Sequence, residues 1–284
     1  MPFFIHILFV ISNWIPSMLS HNVIFGKGKI FHFGPMGVAI ISSYGIVITL
    51  KSTGSFALAF LVGLVCALLI SAVFAWLSVK LEPDALGVIT LAMHIAILNI
   101  AINWTSLTRG ALGIPGVPRL SFFSSNTTLS ITMAVVAVLW IIFMLYLDRS
   151  SFGRQISALA EHEWYAKSIG ISKIKINLIA FFIYALGMTI VAFFSMQYLT
   201  ILHPNDFMFP AFIFYITCEL AGKPGSVLGV TLAIVLLTIL KEGLRFMPIP
   251  TGLTGPLELI IFGVILFVAV WWRRDSVFPN TRSV

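Results

Sequence analysis

The chain has 284 residues, 59% of them hydrophobic and only 10% charged, with a formal net charge of +7 and a mean hydropathy of +1.05. Soluble domains carry about 25% charged residues, so this much apolar surface exceeds what one soluble core can bury and must face lipid. The basic excess has no run interleaved with exposed aromatics, so it reads as loop charge of a membrane protein, and nucleic-acid binding is excluded.

A membrane-spanning helix needs roughly 20 apolar residues, and nine segments meet or approach that length. The first, about 3–20, is crossed by Asn13 and Pro16; its leading "MPFFIHILFVISNWIPSML" lacks the basic start of a cleaved signal and is expected to stay as a span. The second, about 34–50, opens with "HFGPMG", where glycine and proline predict a broken or tightly packed helix. The third is about 55–79 and the fourth about 86–103, followed by a Gly/Pro-rich loop over 104–125. The fifth is about 127–147, then a polar stretch fills 148–177. The sixth to ninth are about 177–200, 207–221, 226–246 and 256–272, with "AGKPGSVLG" and "PIPTGLTGP" punctuating the last turns. The second and seventh are short, and a broken or re-entrant form is expected for either. Cys66 and Cys218 both sit inside apolar runs, which points away from a disulfide or a metal site. The fold class is therefore an all-α integral membrane protein, a polytopic bundle of eight to nine transmembrane helices. No segment outside the membrane is long enough to fold alone, so residues 1–284 are expected to form a single domain.

Charge tests the orientation. Alternating the spans away from a cytoplasmic 148–177 stretch puts five of the 17 Lys and Arg residues (Lys51, Arg109, Arg119, Lys241 and Arg245) outside. The other 12, among them Arg273, Arg274 and Arg282, fall inside. That bias predicts an outer N-terminus and an inner C-terminus.

Few polar groups lie within the spans. Gly34 and Ser42 in the second segment, with Thr90, His94 and Asn99 in the fourth, are the candidate lining of a substrate pathway; helix–helix hydrogen bonding is the competing reading. Glu219 lies near Lys223 and is expected to pair locally rather than relay protons. Lys241, Glu242 and Arg245 read as a polar helix end. There is no phosphate-binding glycine loop, no metal-ligand spacing and no nucleophile–base pair, so neither a cofactor nor a catalytic residue is expected in the chain itself.

The polar stretch is the anomaly. Within "SSFGRQISALAEHEWYAKSIGISKIKIN", Ile156, Leu159, Ala160 and Trp164 share one face of a short helix, with Gly153 before it and Gly170 after it as candidate caps. Such a helix either rests on the membrane surface or docks into a groove on another protein.

The segment "ALAEHEWYAKSIGISKIKINLIAFFIYALG" resembles the cytoplasmic loop of branched-chain amino acid ABC transporter permeases of the LivM-like kind. The matching positions are Ala158, Ala160, Glu161, Glu163, Ala166 and Gly170-Ile171. Further matches follow in the same order: "HFGPMGVAIISSYG", then "NWTSLTRGALGIPGVP" after a helix opened by "LGVITLA", and "AGKPGSVLGVTLAIVLLTILKEGLR". The chain departs from the family at His32, where Ser is usual, and at Ser42, where Gly is usual. It also has Ile95 and Leu98 where many members have an acid and an arginine, and "AGKPGS" is one residue longer than the usual form. The resemblance implies that residues 154–171 form a coupling helix gripped by a cytoplasmic ABC ATPase. It implies a second, related permease subunit and an extracytoplasmic solute-binding protein as further partners, besides membrane lipid. The implied role is import of branched-chain or other small hydrophobic amino acids across the cell membrane, with ATP hydrolysed by the partner chain. Relatives with similar loops that carry urea or short amides keep those solutes open. An ATP-independent secondary transporter is the rival from another class; it would need a functional membrane carboxylate and no polar insert.

Overall fold

The computed structural model describes residues 2–246 and 251–277. Side chains are described for 3–246 and 253–272, so Arg282, the side chains of Arg273 and Arg274, and part of the "PIPTGLTGP" turn lie outside the described residues.

Each long apolar run becomes one helix. In chain order these are α1 (Pro2–Asn22), continued by a π turn (Val23–Lys27), then α2 (Pro35–Thr53), α3 (Phe56–Lys80) and α4 (Pro83–Asn103). A one-turn α5 (Thr105–Thr108) opens the long loop, and α6 (Asn126–Arg149) closes it. The polar stretch holds α7 (Ser151–Glu161) and α8 (Glu163–Ser168). Then come α9 (Lys173–Leu199), α10 (Phe209–Ala221), α11 (Val227–Leu244) and α12 (Thr251–Val277). Among the described residues eight helices are long and apolar enough to cross a membrane. The ninth, α10, has 13 residues, which at 1.5 Å per residue gives about 20 Å against a hydrocarbon core of about 30 Å. It is a half-span. Of the two short segments, only this one is too short; α2 has 19 residues and qualifies.

The centre of the bundle is α1 and α9. α1 packs on α6, α9 and α11, α9 on α2 and α3, and α10 on α12. Gly187 lets α9 cross α1 closely, since a Cβ there would meet the carbonyl of Pro16 at 2.6 Å. The outer helices turn rows of large apolar side chains outward, among them Leu61, Val65 and Leu69 on α3 and Leu228, Leu232 and Leu236 on α11. Apolar rows of this extent fit a lipid-facing surface, not a water-facing one.

"HFGPMG" does not break a helix. It starts one: Pro35 occupies the first turn of α2, where its missing N–H costs nothing. The six residues before Gly34 are irregular, and their backbone groups find partners inside the protein. Phe33 N–H donates to Thr90 Oγ1 at 2.9 Å, and Ile30 N–H donates to the Ile24 carbonyl at 3.1 Å. A Cβ at Gly34 would sit 2.8 Å from the Thr90 carbonyl, so tight packing, not a break, explains this glycine.

The 104–125 loop is pinned to the end of α9. Its strand β1 (Ile114–Pro115) pairs antiparallel with β2 (Ile201–Leu202). Arg119 donates from Nε to the Gln197 carbonyl at 2.6 Å and from Nη2 to the Tyr198 carbonyl at 3.0 Å, covering carbonyls that a helix C-terminus leaves free.

Candidate functional site: a docking face, a buried junction and a cavity

The polar stretch folds into two short helices, not one. Ser150 caps α7, its Oγ accepting from Gly153 N–H at 3.3 Å, so Gly153 lies inside the first turn and does not precede it. The helix ends at His162 (φ −146°, ψ 82°) and α8 restarts at Glu163. That break rotates the second half. Ile156 is buried, but Trp164 is 74% exposed and does not continue the Ile156 face. Gly170 follows α8 in the left-handed region (φ +86°), with Ile171 N–H donating to the Ala166 carbonyl at 3.0 Å, a helix stop that glycine accommodates.

The six positions expected to couple to a partner therefore divide. Ala158 and Ala160 are half-buried, and Glu161 and Gly170 are exposed. Ala166 is buried, so it supports α8 from inside. Glu163 pairs with Lys167 and with Lys173, whose Nζ lies at 2.7 Å. Trp164, Tyr165 and Ile169 on α8 are exposed as well.

Glu163 offers a pH test. Partial burial by itself raises its carboxyl, but hydrogen bonds and charge from Lys167 and Lys173 outweigh that and hold it below the ordinary 4.5. A lowered acid contributes stability above its ordinary value and loses it as pH falls through the lowered one. The carboxylate is 41% exposed, so screening limits the tie to under about 1 kcal/mol. Hydrogen exchange over 163–170, corrected for intrinsic rates, is expected to lose a few-fold protection below about pH 4.5, and Lys173→Ala is expected to flatten that dependence.

Beneath α7 lies a junction of four elements. Ile156 packs within 3.1 Å of where a Cβ would stand on Gly28, just after the π turn. Lys27, the last residue of that turn, pairs with the Asp148 carboxylate and donates to the Asp148 carbonyl at 2.9 Å. Asn22 Oδ1 accepts from Gly225 N–H at 2.8 Å, joining α1 to the α10–α11 turn. A Cβ at Gly26 would collide with Gly225 N and Asn22 Oδ1 and meet Pro224 C at 2.8 Å, so the two turns touch backbone to backbone.

One turn deeper, His21 Nδ1 lies 2.9 Å from both carboxylate oxygens of Glu219 on α10. Its Nε2 lies 3.1 Å from the His32 carbonyl and 3.2 Å from His32 Nδ1. All three residues are fully buried, ringed by Phe25, Tyr184 and Tyr215. A carboxylate buried this deeply needs a partner of this kind, and His21 supplies it. Glu219 thus pairs with His21 across 198 positions, not with Lys223 as its position in the chain led one to expect.

Toward the other end of α1, residues of α1, α2, α9, α10, α11 and α12 line a cavity of about 600 Å³. Its wall is mostly apolar, with Phe9, Trp14, Met36, Phe207, Phe214 and Phe262, and Asn13, Ser43, Ser195, Asp206 and Lys241 among its polar members.

None of the five candidate pathway residues lines this cavity. Gly34 and Thr90 form the seam described above. Ser42, one position from the lining Ser43, donates to Thr189 Oγ1 at 3.2 Å between α2 and α9. His94 Nε2 lies 3.0 Å from the Phe207 carbonyl and holds α4 against the turn before α10. Asn99 is on the exposed face of α4, with Nδ2 donating to the Ile95 carbonyl at 2.8 Å. The sequence reading missed His21 and His32. The available signal was three ionisable groups in apolar surroundings, each needing a partner.

A family model described as branched-chain amino acid transport system / permease component matches residues 3–270. The chain is 25% identical over 297 residues to the high-affinity branched-chain amino acid transport system permease protein LivM of Salmonella typhimurium, covering 93% of this chain and 65% of that protein. It is 24% identical to the autoinducer 2 import system permease protein LsrD of Photorhabdus laumondii, covering 77% of this chain and 66% of that one. The chain thus spans about 65% of the length of the LivM protein it matches. Its fold is similar to that in the structure of PsaBC from Streptococcus pneumoniae in complex with Fab, with a TM-score of 0.50 at 15% identity over 98% of this chain and 94% of that chain. With an all-helical membrane bundle and a family match along nearly its whole length, the chain belongs to the branched-chain amino acid transport system permease family.

Proposed function

We propose that this chain is the membrane-spanning permease subunit of an ABC importer for branched-chain or other small hydrophobic amino acids. It sits in the cell membrane with the α7–α8 face in the cytoplasm, the N-terminus outside and the C-terminus inside. A cytoplasmic ATPase grips α7–α8, a second related permease subunit completes the assembly, and an extracytoplasmic protein delivers the solute. The observation that carries this reading is a short polar insert, seated over the junction, that leaves Trp164, Tyr165 and Ile169 of α8 and Glu161 of α7 exposed. A soluble partner that covers such aromatics gains hydrophobic burial that the isolated chain forgoes.

The junction supplies a contact route. A pull on α7 reaches the π turn through Ile156 and Lys27, then α10 through Asn22–Gly225 and His21–Glu219. α10 also walls the outer cavity. To do work, those contacts must differ in free energy between inward- and outward-open states. The aliphatic and aromatic wall favours a solute with an apolar side chain over the polyhydroxylated kind, so LivM-like transport fits better than LsrD-like transport.

Glu161→Lys and Trp164→Ala provide the test. Both positions are exposed, so membrane insertion is expected to be unchanged. Recovery of the ATPase with the chain is expected to fall about tenfold or more, the typical loss when an interface anchor is removed. Normal recovery and uptake in both variants would sink the reading.

A further inference from the structure

Between α7 and the junction beneath it lies a second cavity, of about 410 Å³. Lys27 and Lys29 line it from the π turn and the residues after it, Asp148 from the end of α6, Glu161 from α7, and Lys223 and Ser226 from the α10–α11 turn. Lys27 is paired with Asp148. The ammonium groups of Lys29 and Lys223 have no hydrogen-bond or ion-pair partner among the described residues. Both residues hold left-handed backbone, at φ +50° and +70°, a conformation that costs any residue with a Cβ and that gathers at ligand clamps. Of the four described non-glycine residues with positive φ, these two line this one cavity. Three lysines stand against two carboxylates here, so the cavity carries a net charge of +1. It also lies at the lipid boundary. Ser226 caps α11, and the outward apolar row of that helix begins two residues later at Leu228 and continues through Leu232 and Leu236.

We propose that this cavity binds the phosphodiester of an anionic phospholipid headgroup, with the Lys29 and Lys223 ammonium groups on its oxygens and an acyl chain along the Leu228–Leu232 row. Basic pockets between membrane helices are where such headgroups settle. The charge selects the headgroup. A phosphodiester with no cation attached carries one negative charge and matches the surplus, whereas a phosphomonoester carries nearly two and a zwitterionic headgroup carries none. Such an occupant touches the π turn, α7 and the α10–α11 turn at once. It therefore ties together the elements that meet at the junction and stabilises them by mass action. The site needs only lipid around α11; it goes beyond the importer reading and does not depend on it.

The test uses the chain purified in mild detergent together with the chains that accompany it, and native mass spectrometry to count bound lipid as dioleoyl phosphatidylglycerol or dioleoyl phosphatidylcholine is added. Phosphatidylglycerol is expected to bind about tenfold or more tighter and to raise the thermal midpoint, which phosphatidylcholine leaves in place. Lys29→Gln with Lys223→Gln is expected to abolish that preference. Lys80→Gln with Lys175→Gln removes the same charge from two exposed lysines that do not line the cavity, and is expected to keep it. Should the first pair fail to assemble, Lys223→Gln alone, at an exposed position, is expected to weaken phosphatidylglycerol by about fivefold. Equal losses in the two pairs would mean that surface charge in general holds the lipid, and would overturn the site. Phosphatidylcholine binding as tightly as phosphatidylglycerol would overturn it as well. Displacement of the lipid by an equal concentration of sn-glycerol 3-phosphate or inorganic phosphate would assign the cavity to a soluble phosphate and overturn the lipid. None of these outcomes touches the importer reading, which is decided by recovery of the ATPase.

Discussion

Glu219→Ala is expected to destabilise the chain by about 3–5 kcal/mol, the usual cost of removing one partner from a fully buried ion pair. His21 would then face an apolar gap and keep only the His32 contacts at 3.1 and 3.2 Å. His21→Ala is expected to cost a similar amount for the mirror reason. Glu219→Gln is the informative control. Its amide oxygen still accepts from His21 Nδ1–H, so the loss is expected to be smaller, and the difference between Gln and Ala separates hydrogen bonding from mere space filling. Replacing both groups together, His21→Phe with Glu219→Leu, is expected to recover part of the loss, because the pair's net worth over an apolar filling is small. Thermal unfolding of the purified chain in mild detergent, followed by tryptophan fluorescence, reads all four. A Glu219→Ala chain with an unchanged midpoint would show that the carboxylate is not held by His21.

The second large effect is kinetic. Gly26→Leu places a side chain where the π turn touches the α10–α11 turn. The neighbours it would meet, Gly225 N and Pro224 C, are backbone and cannot swing aside. Overfilling of this kind costs about 1–3 kcal/mol, which a bundle of eight spans can absorb, so insertion is expected. The loss appears in coupling. With the turns pried apart, motion of α7 no longer reaches α10, and solute uptake is expected to fall by an order of magnitude or more while ATP hydrolysis by the assembled complex continues. Uptake and hydrolysis that fall in the same proportion would mean that Gly26 serves assembly alone, not transmission. The π turn is a natural place for such a relay, because it already departs from regular α geometry and such turns recur at functional sites.

The sequence reading succeeded where the signal is local. Eight of the nine apolar runs became helices long enough to span, and the short seventh run became the half-span α10. Gly170 was legible for the same reason: a helix stop in the left-handed region leaves a glycine signature on the chain. What failed was whatever depends on contacts between distant segments. "AEHEWYAK" carries no breaker, and the break at His162 arises where Glu163 ties back to Lys173 and Ala166 turns inward. Trp164 shares a face with Ile156 only if the helix runs on unbroken through His162, and it does not. Glu219 was matched to Lys223 by proximity in the chain, yet Lys223 lies in a tight turn at φ +70°, while His21, far away in sequence, stands opposite the carboxylate. His32 was noted as a departure from the family's serine; its place beside His21 gives that departure a physical partner. Polarity alone does not say which face of a helix a residue occupies. Asn99 shows the difference, since it lies on the outside of α4.

The central claim is that α7–α8 is the handle by which a separate motor moves this bundle. The most direct measurement is to purify the tagged chain gently from its native membrane and identify by mass spectrometry what accompanies it. Recovery of an ATPase with a phosphate-binding glycine loop, together with a second multi-span permease, is the expected result, with the ATPase alone lost on Glu161→Lys. Recovery of the chain alone, still moving solute into vesicles without ATP, would contradict it.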